Sequence, residues 1–130
     1  MQKLMFRGKD VKTGEWVVGD GIHFPKSERY NGTCWIDGMA EQSNDWVQVE
    51  GGTVGIWTGQ YDKNKKMIFE GDILRGYWGT KFTVVYDEDY LQFIAKGINF
   101  PARELSYFGN YSYMVVIGNI FDNPEILKEK

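Results

Sequence analysis

The chain has one cysteine, one histidine and three prolines in 130 residues, and no surplus of positive charge. Each shortage closes off an architecture or a function. Cys34 alone forms no internal disulfide, so the fold lacks a covalent staple, and this usage fits a reducing cytoplasm. A structural zinc site typically takes about four Cys or His ligands, twice what His23 and Cys34 supply. No apolar run approaches the roughly 18 residues of a membrane-spanning helix. The opening Met1-Gln2-Lys3-Leu4-Met5-Phe6-Arg7 lacks the apolar core of a secretory signal. The triplets Asn31-Gly32-Thr33 and Asn110-Tyr111-Ser112 therefore read as chance matches to a glycosylation acceptor. A formal net charge of −3 and a sequence pI near 5.2 offer a polyanion no overall attraction. Lys63, Lys65 and Lys66 crowd one turn, which reads as a solvated turn. The expectation is a cytoplasmic protein with no membrane segment.

Aromatic side chains and glycine are abundant instead: 5 Trp, 8 Tyr, 8 Phe and 16 Gly. Aromatics suit pleated, half-buried surfaces and glycine suits turns, so the composition predicts a β-rich chain. Residues 3–7 and 15–24 read as strands around a turn containing Asp10, Thr13 and Gly14, and 25–32 reads as a loop. Strand candidates follow at 33–37 and 46–50, with a loop at 38–45 between them. Gly51-Gly52 predicts a tight break before a further strand at 53–58. After a turn at 62–66, residues 73–77 and 81–86 form the clearest hairpin, with Phe82, Val84 and Tyr86 on one face. Asp87-Glu88-Asp89 turns the chain into 91–95, where Leu91, Phe93 and Ala95 repeat the pattern. Residues 101–107 suggest one helical turn, and 113–121 the last strand. Asn123 before Pro124 predicts a short C-terminal helix. About nine or ten short strands at this spacing indicate a small barrel or sandwich. Asp10 and Gly19-Asp20 echo Asp62 and Gly71-Asp72 at the same nine-residue spacing, a match equally open to coincidence and to a repeated unit.

The chemistry-bearing residues are few. Gly71-Asp72 fits a structural role, a glycine for positive φ and a short carboxylate to hold a turn. His23 and Cys34 flank one loop, but nucleophilic catalysis also needs an orienting group and an oxyanion site, and nothing supplies them. Glu70, Asp72 and the run Asp87–Asp89 are acidic candidates for a metal or an acid–base pair, and a run at a strand end reads first as a solvated turn. No phosphate loop, serine elbow or dinucleotide fingerprint is present. Among the aromatics, Trp16, Trp57, Phe82 and Phe93 fall at alternating positions and are assigned to the core. Tyr77-Trp78 lies at a hairpin tip between Gly76 and Gly79, and Tyr107, Phe108, Tyr111 and Tyr113 cluster in a second glycine-containing loop. These are candidate contact residues, because exposed aromatics bury large area at low entropic cost.

The segments Phe6-Arg7-Gly8-Lys9, Thr13-Gly14-Glu15-Trp16-Val17, Thr53-Val54-Gly55, Thr58-Gly59, Asp62-Lys63-Asn64, Ile68-Phe69-Glu70-Gly71-Asp72-Ile73 and Val116-Ile117-Gly118-Asn119-Ile120-Phe121-Asp122-Asn123-Pro124-Glu125 occur in this order. Together they resemble the YopX family of bacteriophage and prophage proteins. The resemblance implies a β-rich fold whose C-terminal part is an SH3-like barrel, acting in the bacterial host cytoplasm, and it carries over no catalytic residue. Lys65 stands where the family usually has Gly, which puts the turn after Asn64 in doubt. Ile56 stands where a polar residue is common. Residues 25–50 and 98–112 match little.

The expected object is therefore all-β, built of short antiparallel strands, with an N-terminal β region (1–50), a C-terminal SH3-like small barrel (51–130) and a short C-terminal helix. The leading functional expectation is a non-enzymatic binding module for a host or phage protein, contacting it through Tyr77, Trp78, Tyr107, Phe108 and Tyr111. The alternative is a nucleic-acid-binding barrel that stacks bases on aromatics, disfavoured by the acidic balance. A metal-dependent or hydrolytic enzyme comes third. No catalytic residue, metal or cofactor is expected.

Overall fold

The computed structural model describes residues 4–24, 32–38, 46–76, 79–89, 91–97, 103–104 and 114–128. They form ten strands and one short 3-10 helix, an all-β protein with a small closed barrel. No helix among them is long and apolar enough to cross a membrane. The chain divides into two compact units, Met1–Trp57 and Thr58–Lys130.

The first unit holds β1 (Phe6–Asp10), β2 (Trp16–His23), β3 (Thr33–Gly38) and most of β4 (Trp46–Tyr61). Polar groups close the β1–β2 turn. The Asp10 N–H donates to the Glu15 carbonyl at 2.8 Å, the Asp10 carboxylate accepts the Lys12 N–H at 2.8 Å, and Gly14 takes φ 73°. Antiparallel pairing then runs β1–β2, β2–β3 and β3–β4, and β4 pairs back onto β1, so the ring is closed. A ring of so few strands has a narrow interior. Cys34, Ile36 and Val49 fill it, with Phe6, Val17, Ile22, Val47 and Val54 packed around them. At Gly8 the walls meet closely, since a Cβ there would lie 2.8 Å from Val49 Cγ2 and 3.2 Å from Ile36 Cδ1.

The expected break at Gly51-Gly52 is not one. β4 continues through both glycines and bulges instead, its register against β1 jumping from Arg7↔Gly55 to Lys9↔Glu50. A bulge frees backbone groups from the ladder. Thr53 takes them up: its Oγ1 accepts the Lys9 N–H at 2.9 Å and donates to the Glu50 carbonyl at 2.6 Å. Glycine without a side chain lets the strand bend where another residue would end it.

In the second unit the end of β4 pairs with β5 (Met67–Phe69), and the Thr58 hydroxyl donates to the Ile68 carbonyl at 2.8 Å. β6 (Asp72–Arg75), β7 (Lys81–Asp87), β8 (Gln92–Gly97), β9 (Arg103–Glu104) and β10 (Val115–Asn119) form an antiparallel sheet in the order β10-β6-β7-β8-β9. The expected β6–β7 hairpin is present, with Leu74 opposite Phe82. Ile68, Leu74, Phe82, Val84, Ala95 and Met114 make the core, and Phe93 and Val116 pack against it.

Several local expectations change. Leu91 is not a core member of β8; it sits in the preceding turn at φ 53° and is 75% exposed. Tyr86, at the end of β7, is exposed and meets Phe93 edge-on at 5.1 Å. Within 101–107 the described residues, Arg103–Glu104, pair with Ala95 and Ile94 as a strand where a helical turn was expected. The C-terminal helix is a single 3-10 segment, Pro124–Lys128, with no buried residue. Its Ile126 and Leu127 are half-buried, and the turn before it is held by Asn119, whose Oδ1 accepts the Phe121 and Asp122 N–H groups.

Candidate aromatic groove on the N-terminal barrel

Period-two alternation decides what the first barrel shows outward. On β3, Cys34 and Ile36 enter the core, so Trp35 between them projects outward. On β4, Val47 and Val49 do the same, which leaves Trp46 and Gln48 outside. Pairing sets these residues in rows: His23 opposite Trp35, Trp35 opposite Gln48, and Asp37 opposite Trp46. Trp46 reaches across β3 toward β2. A Cβ on Gly21 would lie 3.1 Å from Trp46 Cη2 and 3.3 Å from the Asp37 Cβ. Gly21 is thus cut back where the indole edge and the Asp37 side chain meet. The His23 and Trp46 rings stand edge-to-face, 6.4 Å between centroids at 67°.

Two grooves open on this face. The larger, about 470 Å³, is lined by Ile22, His23, Trp35 and Trp46. The smaller, about 240 Å³, is lined by Asp10, Val11, Lys12, Trp35, Trp46, Val47 and Gln48. Trp35 and Trp46 line both. Trp46 remains 45% exposed, and Phe24, just past β2, is exposed as well. Gln48 is fixed by its Nε2 donating to Thr33 Oγ1 at 2.9 Å. The walls belong to a closed barrel, so the indoles are held on strands.

Comparison with known proteins agrees with the architecture. The family model described as YopX protein matches residues 5–128. The chain belongs to the YopX family. Among solved structures, the crystal structure of protein EF1440 from Enterococcus faecalis is similar, with a TM-score of 0.54 and 22% identity over 98% of this chain and 99% of that one. At that identity the likeness speaks for a shared fold. No curated protein matches.

The residues expected to contact a partner in this YopX protein, Tyr77, Trp78, Tyr107, Phe108 and Tyr111, lie outside the described residues. What flanks the first pair is a tight hairpin end, where the Gly76 N–H donates to the Thr80 carbonyl at 2.8 Å. Trp16, assigned to the core, is instead half-buried under two cations: Arg7 Cζ lies 4.5 Å and Lys9 Nζ 5.7 Å from its ring centre. Trp57 is also half-buried.

His23 and Cys34 sit on neighbouring strands but on opposite faces. Cys34 is wholly buried in the barrel, and His23 is exposed outside it. Burial pushes the Cys34 thiol above its ordinary pKa, which makes it a poor nucleophile. The carboxylates are engaged with backbone. Asp72 Oδ2 accepts the Phe69 N–H at 2.8 Å beside Gly71 at φ 91°, and Asp87 Oδ1 accepts the Asp89 N–H at 2.9 Å. No three His, Cys, Asp or Glu side chains converge on a metal position among the described residues.

The groove escaped sequence reasoning although its signal was present. Trp35 and Trp46 each stand out of phase with the apolar residues beside them on their strands. Joining them into one surface required the register of β3 against β4 and the small residue at Gly21.

Proposed function

We propose that this YopX protein is a non-enzymatic binding module, a phage or prophage accessory protein of the bacterial host cytoplasm, which seats a segment of a host or phage protein on its N-terminal barrel. One observation carries the reading: Trp46, a large apolar side chain, is 45% exposed and lines two adjoining grooves on the strands of the barrel. Aromatics in such a position are the side chains that dominate binding at protein interfaces. The buried thiol and the turn-holding carboxylates support a module without catalytic apparatus.

The test is a selection of displayed random peptides on the wild-type protein, counter-screened with Trp46→Ala. Peptides that bind the wild type and lose at least roughly 30-fold in affinity to the variant, the weight of a hot-spot residue, support the proposal. Selection that yields only peptides indifferent to Trp46→Ala overturns it. A single-stranded oligonucleotide that binds in a Trp46-dependent and strongly salt-dependent manner favours the nucleic-acid reading instead.

A further inference from the structure

Resting on the groove assigned above, we infer that its occupant is an extended peptide presenting a basic side chain, Arg or Lys, to the Trp46 ring. The composition of the walls leads there. β2, β3 and β4 carry three charged residues, Asp20, Asp37 and Glu50, and not one Lys or Arg. An indole face attracts a cation through its quadrupole, most strongly when the cation is partly desolvated. A carboxylate near the indole adds a charge partner, and Asp37 is its neighbour: it is the register partner of Trp46, and its Cβ and the indole edge converge above Gly21. Asp37 next to Trp46 disfavours a phosphate there, so the charge pattern selects among the partners that aromatics alone would admit. The larger groove, with Ile22 and Trp35, accommodates a neighbouring apolar residue of the peptide. In the adjoining groove Lys12 lies with Asp10, whose carboxylate already accepts the Lys12 N–H.

The protein already offers its own precedent for the contact. Trp16, also on the outer side of this barrel, carries Arg7 at 4.5 Å from its ring centre.

The test uses the full chain and the peptide acetyl-Gly-Ile-Arg-Ile-Gly-amide, with counterparts bearing Lys, Gln or Glu at the centre. Binding is followed by NMR at the indole N–H signals, assigned with Trp35→Phe and Trp46→Phe variants. The Arg and Lys peptides should shift the Trp46 signal, with the Gln peptide roughly tenfold weaker and the Glu peptide weaker still. Asp37→Asn, whose spectrum reports an intact fold, should weaken the Arg peptide several-fold and leave the Gln peptide unchanged. Equal affinity for the Arg and Gln peptides, or discrimination undiminished by Asp37→Asn, overturns the inference and leaves the groove reading standing. If no peptide of the set moves either indole, both fall.

Discussion

Lys65 holds φ 63°, a left-handed backbone that an L-residue adopts at a cost of roughly 1–2 kcal/mol. The resemblance implies glycine there, and the positive φ gives the departure a physical content: the lysine is strained. Nothing about its surroundings argues for the side chain, because Lys63, Lys65 and Lys66 are all exposed. Lys65→Gly should therefore raise stability by about 1 kcal/mol, the relieved strain less the added freedom of the unfolded chain. A shift of the urea midpoint upward at unchanged slope is the expected reading; a downward shift would show that the lysine side chain contributes more than its backbone loses. Cys34 supplies a second prediction at this scale. Burial raises its folded pKa above the ordinary 9.0, so the fold prefers the neutral thiol. Its contribution is complete below the unfolded thiol's pKa and is lost as pH climbs through the folded one. Stability should fall on the alkaline side more steeply for wild type than for Cys34→Ala. A thiol reagent should modify the native protein far more slowly than the urea-unfolded chain. Parallel pH profiles for the two proteins, or rapid native labelling, would contradict the assignment.

Turns in this protein are secured by side chains that replace missing backbone partners, and Asp62 does the most. Buried at 5% exposure, it receives the Asn64 and Lys66 N–H groups on Oδ1 and, 54 residues away, the Val116 N–H on Oδ2. The Lys63 N–H donates to the Met114 carbonyl beside it. One carboxylate thus closes the β4–β5 turn and fastens β10. Asp62→Ala strands three backbone donors, and hydrogen bonds to a charged acceptor are worth about 1.5–3 kcal/mol each at most. A loss of about 3 kcal/mol or more in urea unfolding is expected, with Asp62→Asn intermediate because the amide oxygen still accepts. A loss under about 1 kcal/mol would mean that water or a neighbour replaces the carboxylate. The turn itself was legible from Asp62-Lys63-Asn64 and the glycine-type position after it, while the short strand β5 that follows it was not. The roles of Gly71-Asp72 and the phase of Phe82 and Val84 were legible as well. The tie to Val116 was not, because a contact that far along the chain leaves no trace in local periodicity. Gly51-Gly52 misled for the opposite reason. Two glycines look alike whether a strand ends or bulges, and only Thr53, satisfying Lys9 and Glu50 together, distinguishes them.

At the scale of the molecule, aromatic and glycine content pointed to a β-rich chain and the spacing of short strands to a small barrel or sandwich, while the resemblance put a barrel in the C-terminal part; closure of the ring β1-β2-β3-β4, mostly in the first unit, was not foreseen. Closure depends on how thin the interior is, and that is decided where side chains are missing. The candidate groove depends on it as well, because Trp35 and Trp46 face outward only while Cys34, Ile36, Val47 and Val49 face in. Gly8 is the residue that states the limit: its absent Cβ would meet Val49 Cγ2 at 2.8 Å and Val49 Cβ at 3.0 Å. In an open strand, Gly→Ala stabilises by about 0.4–1 kcal/mol through the unfolded chain. Here the sign should reverse, since an added methyl in a full core costs about 1–3 kcal/mol. Val49→Ala alone should also destabilise, by about 2 kcal/mol, through the space it leaves. The double variant discriminates between a packing conflict and any other fault of alanine at position 8. If the two methyl positions compete for one volume, the pair should be more stable than the sum of the single losses by about 1 kcal/mol or more, the usual size of coupling between touching residues. Strict additivity would show that the barrel absorbs the new methyl by shifting its strands. In that case its walls are looser than the geometry of Gly8 requires, and the groove they carry loses the rigidity on which its selectivity for a basic side chain rests.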